Sequence, residues 1–308
     1  MFRTLISLDV FAKASSESTQ TMSSDSPSKG DEFYKKAESK ITKWFGKDWE
    51  EGQELFMKAG AAYKVEKKWD RAGDAFMRAG DCATKAKDSA QACQAYTESA
   101  HAWKKIDLNK ARGAIQVAIT LNIENNRLGS AAKLEKEFAE ALDQDGQADA
   151  AIQHFQKAHD YYFAEDQPAA AMACKVQIAR IHGELDHFDI CVQLYEEIGS
   201  KYASGPLKYQ AKEFFVRALL CRCASVTEEN RTEKSAEVEE AFGNYLITDV
   251  NLKHTREQEF CEMIIQAVEE GDMERFDEAI NFLNELKMLD DWKTHVLLCI
   301  KKNFEDIK

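Results

Sequence analysis

Apolar and small residues recur along this chain in a long register. The segments Ala75-Phe76-Met77-Arg78-Ala79, Ala114-Ile115-Gln116-Val117-Ala118, His154-Phe155-Gln156-Lys157-Ala158 and Leu194-Tyr195-Glu196-Glu197-Ile198 share one shape, and their last positions lie 39, 40 and 40 residues apart. A second phase agrees, because a small residue recurs at Gly60, Ala100, Ala139, Ala179 and Ala218 in steps of 40, 39, 40 and 39. Two phases of one period mark a repeat protein whose unit is a helix, a short turn and a second helix. The small positions let paired helices approach closely, while Phe76, Phe155 and Tyr195 fill the adjacent layer.

The pattern predicts an all-α fold: a right-handed, tetratricopeptide-like solenoid of helical hairpins over residues 31–245, with units at 51–87, 88–127, 128–167, 168–206 and 207–245. Pro168 and Pro206 fall at unit junctions, where a helix must stop. Asp143-Gln144-Asp145-Gly146 and Glu184-Leu185-Asp186 carry turn chemistry within units. After residue 246 the period fails. Three amphipathic helices at about 253–270, 273–287 and 291–304, interrupted at Gly271-Asp272 and Leu289-Asp290-Asp291, predict a helical bundle over 246–308 that ends in an acidic tail. Such a bundle caps the open apolar end of a solenoid. Residues 1–30 read as a disordered N-terminal extension, or as sequence upstream of a working start at Met22. A targeting segment is the alternative, although Asp9 breaks the apolar core a secretory signal needs, and arginine is scarce for a mitochondrial one.

Composition narrows the function. Three prolines and 14 glycines in 308 residues provide few turns for a β architecture, and 44% hydrophobic residues suffice for a sizeable core. A net charge of −13 argues against nucleic-acid binding, leaving room only for a local basic patch. No window approaches the ~18 consecutive apolar residues of a spanning helix, so any membrane contact is peripheral and the expected location is cytoplasmic. The eight cysteines form no CxxC pair and read as buried thiols of a reducing compartment. Cys221 and Cys223, two apart on one helix, should point to different faces.

Catalytic signatures are missing from the sequence: it has no phosphate-cradling glycine loop, HExxH, GxSxG, or Cys/His cluster with zinc spacing. On a regular helix His182 and His187, five apart, would not face one metal. Acidic pairs such as Glu196-Glu197 read as solvated helix faces. The expectation is a protein that binds other proteins, with no catalytic residue, cofactor or metal.

Particular segments carry a more specific signal. They are Ala37-Glu38-Ser39-Lys40, Trp69-Asp70-Arg71-Ala72-Gly73-Asp74-Ala75-Phe76, Tyr161-Tyr162, Tyr195-Glu196-Glu197-Ile198-Gly199, Leu207-Lys208-Tyr209-Gln210-Ala211-Lys212, Leu289-Asp290-Asp291-Trp292 and Ile300-Lys301-Lys302. In these, over roughly 31–308, the chain resembles the α-type soluble NSF attachment proteins. The resemblance implies an adaptor of membrane fusion: several copies wrap a four-helix complex of syntaxin-type SNAREs, recruit the NSF hexamer, and help couple its ATP hydrolysis to SNARE disassembly. It implies SNARE contacts at Lys104, Lys105, Arg127, Lys133 and Arg256, with Lys175, Arg180 and Arg217 nearby; a further basic position of the family falls on Ala173. A membrane-touching loop corresponds to Trp44-Phe45-Gly46-Lys47-Asp48-Trp49, with Trp44, Phe45 and Trp49 as its aromatic contacts. Glu269 and Glu270 match acidic residues that meet NSF, with Gln266 at a third such position. Ile307 stands at the family's penultimate Leu, which is needed to stimulate the ATPase, and keeps a branched apolar side chain there. The implied role is consistent with the charge, because an acidic chain needs a local basic stripe to meet an acidic SNARE bundle.

Overall fold

The computed structural model describes residues 28–43, 46–285 and 289–305. Among them are fourteen α-helices, a short 3₁₀ turn at Lys208–Gln210 and no strand. The helices are α1 (Lys29–Ile41), α2 (Trp49–Val65), α3 (Trp69–Lys85), α4 (Ser89–Trp103), α5 (Leu108–Glu124), α6 (Leu128–Gln144), α7 (Ala148–Ala164), α8 (Pro168–Glu184), α9 (Phe188–Ala203), α10 (Ala211–Ala224), α11 (Arg231–Thr248), α12 (Arg256–Glu270), α13 (Met273–Asn284) and α14 (Asp291–Glu305). The fold is an all-α, tetratricopeptide-like repeat of helical hairpins.

The regularity has a local cause. α2, α3, α5, α6, α7 and α8 each run 17 residues, or about 25 Å. Most are separated by three-residue turns whose middle residue lies in the left-handed region: Lys67, Lys87, Asn126, Gly146, Asp166 and Asp186. The α4–α5 turn is the exception. It is four residues long, Lys104 to Asp107, has no positive φ, and is closed by Asp107, whose carboxylate accepts from the backbone N–H groups of Asn109 and Lys110.

Packing follows the small-residue register. Cβ built at Gly60 on α2 would lie 2.6 Å from the ring of Phe76 on α3, so the aromatic occupies the space that the missing side chain leaves. Pro168 opens α8 at its first position, where its missing N–H costs no helical bond. A central core runs from Ala83 to Ile181 and a second from Ala179 to Ile300, with Leu194 packing against both. The second core contains residues of α9 to α14, so it continues across the last turn of α11, where the sequence periodicity ends.

Four sequence expectations change. α12 starts at Arg256 and not near 253, because the Thr255 side chain caps it by accepting from the Gln258 N–H. His182 and His187 do meet, with their Nδ1 atoms 3.2 Å apart. The regular helix assumed between them ends at Glu184, and the left-handed Asp186 folds His187 back onto His182. Glu196 is not a solvated carboxylate, since it accepts from Arg222 Nη2 at 2.6 Å and from the Tyr245 hydroxyl. Seven cysteines are buried, but Cys299 is only half-buried, although it stands between Leu298 and Ile300 on α14.

Candidate functional site

The eight candidate cations divide into two groups. Lys104, Lys105, Arg127 and Arg256 make no ion pair among the described residues, and Lys133 has only Glu137, one helical turn away at 3.9 Å. Lys175, Arg180 and Arg217 are tied into the fold.

Four of the first group gather around α6. Arg127 stands at its N-cap and Lys133 in its second turn. Lys104 and Lys105 occupy the α4–α5 turn and, with Glu137, Glu140, Ala141 and Gln144 of the C-terminal half of α6, line a cleft of about 750 Å³. A rise of 1.5 Å per residue puts Arg127 and Glu137 about 15 Å apart along the axis, so the basic positions form a row rather than a point. Glu137 interrupts it and also receives His101 Nε2 at 3.0 Å from α4. Arg256 is not part of this row; it starts α12, with its guanidinium over the ring of Phe282 at 5.5 Å.

The second group holds helices together. Lys175 on α8 reaches Glu197 on α9 at 2.5 Å and keeps 17% of its side chain exposed, while Ala173 lies in the open on the surface of α8. Arg180 on α8 pairs with Asp143 on α6 and, at 2.6 Å, with Glu184. Burial acts to lower the pKa of its guanidinium, but Glu184 and Asp143 outweigh burial and leave it raised. Arg217 on α10 contacts Glu213 at 3.0 Å and Asp290 at 2.5 Å, and stacks over Trp292 at 4.7 Å. Lys293 completes the group, its Nζ donating to Glu213 at 2.8 Å from α14. Trp292 is the hub. Its indole N–H donates to the Arg180 carbonyl at 3.1 Å, and its ring lies where a Cβ on Gly183 would be 2.4 Å away. These contacts dock α14 onto α8 and α10.

At the N-terminal side, Trp49 begins α2 half-buried, with Lys85 4.4 Å and Lys47 5.5 Å from its ring centre. Trp44 and Phe45 lie outside the described residues, as do Ile307 and residues 1–27 of the expected extension. Glu269 is exposed at the end of α12, whereas Glu270 is paired with Arg275 at 2.7 Å. Gln266 donates to Glu270 at 3.1 Å, so the amide at the third position supports its acidic neighbour. No described helix is long and apolar enough to cross a membrane.

Two features are not apparent from the sequence. Glu137 and Glu140 break the basic row, and an i,i+4 spacing from Lys133 was the available sign of the first of them. Asp186, His295 and Cys299 converge where the α8–α9 turn meets α14, although Asp186 is more than a hundred positions from the other two.

Comparison with known proteins gives a consistent result. The family profile described as Soluble NSF attachment protein, SNAP, matches residues 28–305. The chain is 30% identical over 281 residues to an "Alpha-soluble NSF attachment protein" of Vitis vinifera, covering 90% of this chain and 95% of that one. It is 31% identical over 285 residues to a "Vesicular-fusion protein SEC17" of Coprinopsis cinerea, covering 89% and 95%. Among solved structures, it is similar to a putative kinesin light chain of Podosopora anserina with nearly identical TPR-like repeats, at 13% identity and a TM-score of 0.40, covering 66% of this chain and 97% of that one.

Proposed function

The chain belongs to the soluble NSF attachment protein family, and on that premise we propose that it is a non-catalytic adaptor of vesicle fusion. It binds assembled four-helix SNARE complexes, recruits the NSF hexamer, and stimulates SNARE disassembly. The observation that carries this reading is the row of cations at Lys104, Lys105, Arg127 and Lys133, the last three exposed and Lys104 half-exposed, on a chain of net charge −13. Three of these cations have no carboxylate of their own and Lys133 has only Glu137 at 3.9 Å, so they meet an acidic helical bundle at little desolvation cost and steer the encounter more than they fix its final affinity.

The remaining roles follow from position. Arg256 adds a second basic contact on α12. Glu269 and Glu270 present negative charge to a basic surface on NSF, and Ile307 supplies an apolar terminus that couples binding to ATP hydrolysis. Trp44 and Phe45 give peripheral membrane contact from the cytoplasmic side, with Trp49 anchoring the loop to α2.

The test is reconstituted disassembly of a SNARE complex by NSF with this chain as the only adaptor. The expected result is ATP-dependent disassembly that falls about tenfold or more with Ile307→Ala, while binding of the SNARE complex is retained. Failure of the intact chain to support disassembly contradicts the adaptor reading. Full activity of Ile307→Ala removes the terminal residue from the mechanism.

A further inference from the structure

Among the described residues, one group of three potential metal ligands comes together: Asp186, His295 and Cys299, whose ligand atoms all lie within 4.8 Å of one another. The pairs measure 2.9 Å for Asp186 Oδ1 to His295 Nε2, 3.4 Å for Asp186 Oδ1 to Cys299 Sγ, and 3.8 Å for His295 Nε2 to Cys299 Sγ. Zinc holds O and N ligands at about 2.0–2.2 Å and sulfur at about 2.3 Å in a tetrahedron, which sets ligand-to-ligand separations of about 3.3–3.8 Å. Two of the three separations already lie in that range, and the third needs to open by about half an ångström.

The side chains come from two elements held by independent packing. His295 and Cys299 are four apart on α14, hence on one face. Trp292, three residues before His295 on that helix, is fixed over Gly183. Asp186 sits in the left-handed position of the α8–α9 turn, at φ 59°, and this turn brings its carboxylate to that face of α14.

We propose that Asp186, His295 and Cys299 bind a thiophilic divalent cation, zinc by the chemistry of the donor set, and that the ion joins the α8–α9 turn to α14. A thiolate, an imidazole and a carboxylate together suit zinc, whereas magnesium and calcium take oxygen ligands alone. The half-open position of the group leaves an entry path and a fourth place for water. Without a cation, burial together with the hydrogen bond and charge of Asp186 pushes the Cys299 thiol up to about 11. A bound cation reverses that balance, because its charge stabilises the thiolate. On binding, the Cys299 S–H bond breaks, an S–Zn bond forms and the proton passes to solvent; His295 coordinates through a ring nitrogen lone pair, Asp186 through a carboxylate oxygen, and no electron is transferred.

The experiment uses the full reduced chain, stripped with chelator and titrated with zinc alone and, separately, with cobalt(II). The expected results are one zinc per chain, a thiolate-to-cobalt charge-transfer band, and protection of Cys299 from alkylation. Cys299→Ala and His295→Ala should each weaken zinc binding roughly 100-fold or more, given that loss of even an outer partner of a metal ligand costs ~10–100-fold. Alkylation mass spectrometry of the unaltered chain reads the site without depending on how either variant folds. Equal alkylation of Cys299 with and without zinc overturns the proposal. Zinc binding unchanged in both variants also overturns it, since the ion would then lie elsewhere, for example on His182 and His187.

Discussion

Lys133 on α6 leaves 72% of its side chain in solvent, whereas Arg217 on α10 leaves 16% and divides its guanidinium among Glu213, Asp290 and the face of Trp292. Both are cations near the proposed partner surface, but their environments separate two jobs. Around α6 the basic groups have no strong intramolecular partner, so contact with an acidic bundle displaces little more than water. Where α14 docks on α8 and α10, each charge already satisfies a neighbour, and recruiting it to a partner would break that neighbour's pairing. Of the eight cations assigned by position, Lys175, Arg180 and Arg217 are therefore better understood as parts of the scaffold. The same separation orders the expected effects on stability.

Trp292→Ala should have the largest effect. The ring is 4% exposed, packs edge-on against Tyr195 at 5.4 Å, and covers Gly183, so its loss should cost ~3–5 kcal/mol of unfolding free energy in denaturant titration. Arg217→Met keeps the volume but leaves Asp290 without the guanidinium and Glu213 with Lys293 alone. The partner carboxylates are 36% and 45% exposed, so we expect ~1–3 kcal/mol, below the ~3–5 kcal/mol of a fully buried pair. An effect of Arg217→Met as large as that of Trp292→Ala would mean that charge, not the indole, holds α14 in place.

Acid should produce a smaller change at the same joint. Burial alone would raise the Asp290 carboxyl, but the Lys293 backbone N–H and the Arg217 charge hold it below its ordinary value of 3.8. Because the folded-state pKa is depressed, this stabilisation is present above 3.8 and is lost as the pH falls below it. Hydrogen exchange of α14 should accelerate in that window in the intact protein, and the Asp290 contribution should shrink in Arg217→Met, where the Lys293 backbone N–H still holds the carboxylate.

The repeat is legible in the sequence because each hairpin buries its own small and aromatic positions, and those contacts recur at fixed spacing. The turns are less so. Lys67 and Lys87 adopt left-handed φ angles of 57° and 64°, a conformation uncommon for non-glycine residues and dictated here by the closure of packed helices. The exposed row around α6 can be found from positions that resemble a family, since exposed side chains need no partner to be identified. The joint cannot, because Arg217 and Asp290 are 73 residues apart and Asp186 and His295 are 109 apart. Only the docking of α14 brings either pair together, and no local pattern encodes it. The i,i+4 pair His295 and Cys299 is visible in the sequence, but its third partner is not.

The smallest effect on unfolding should come from the triple charge reversal Lys104→Glu, Lys105→Glu, Lys133→Glu, whose sites are surface positions with little to lose, at ~0.5 kcal/mol or less each. That variant is also the most direct test of the account, measured by its binding to an assembled SNARE complex beside intact protein and Arg217→Met. The account predicts that the triple variant loses binding by more than about tenfold, or ~1.4 kcal/mol, with its unfolding midpoint nearly unchanged, while Arg217→Met shows the opposite pattern. Unchanged binding by a folded triple variant would contradict the claim that the exposed row around α6 is the partner surface.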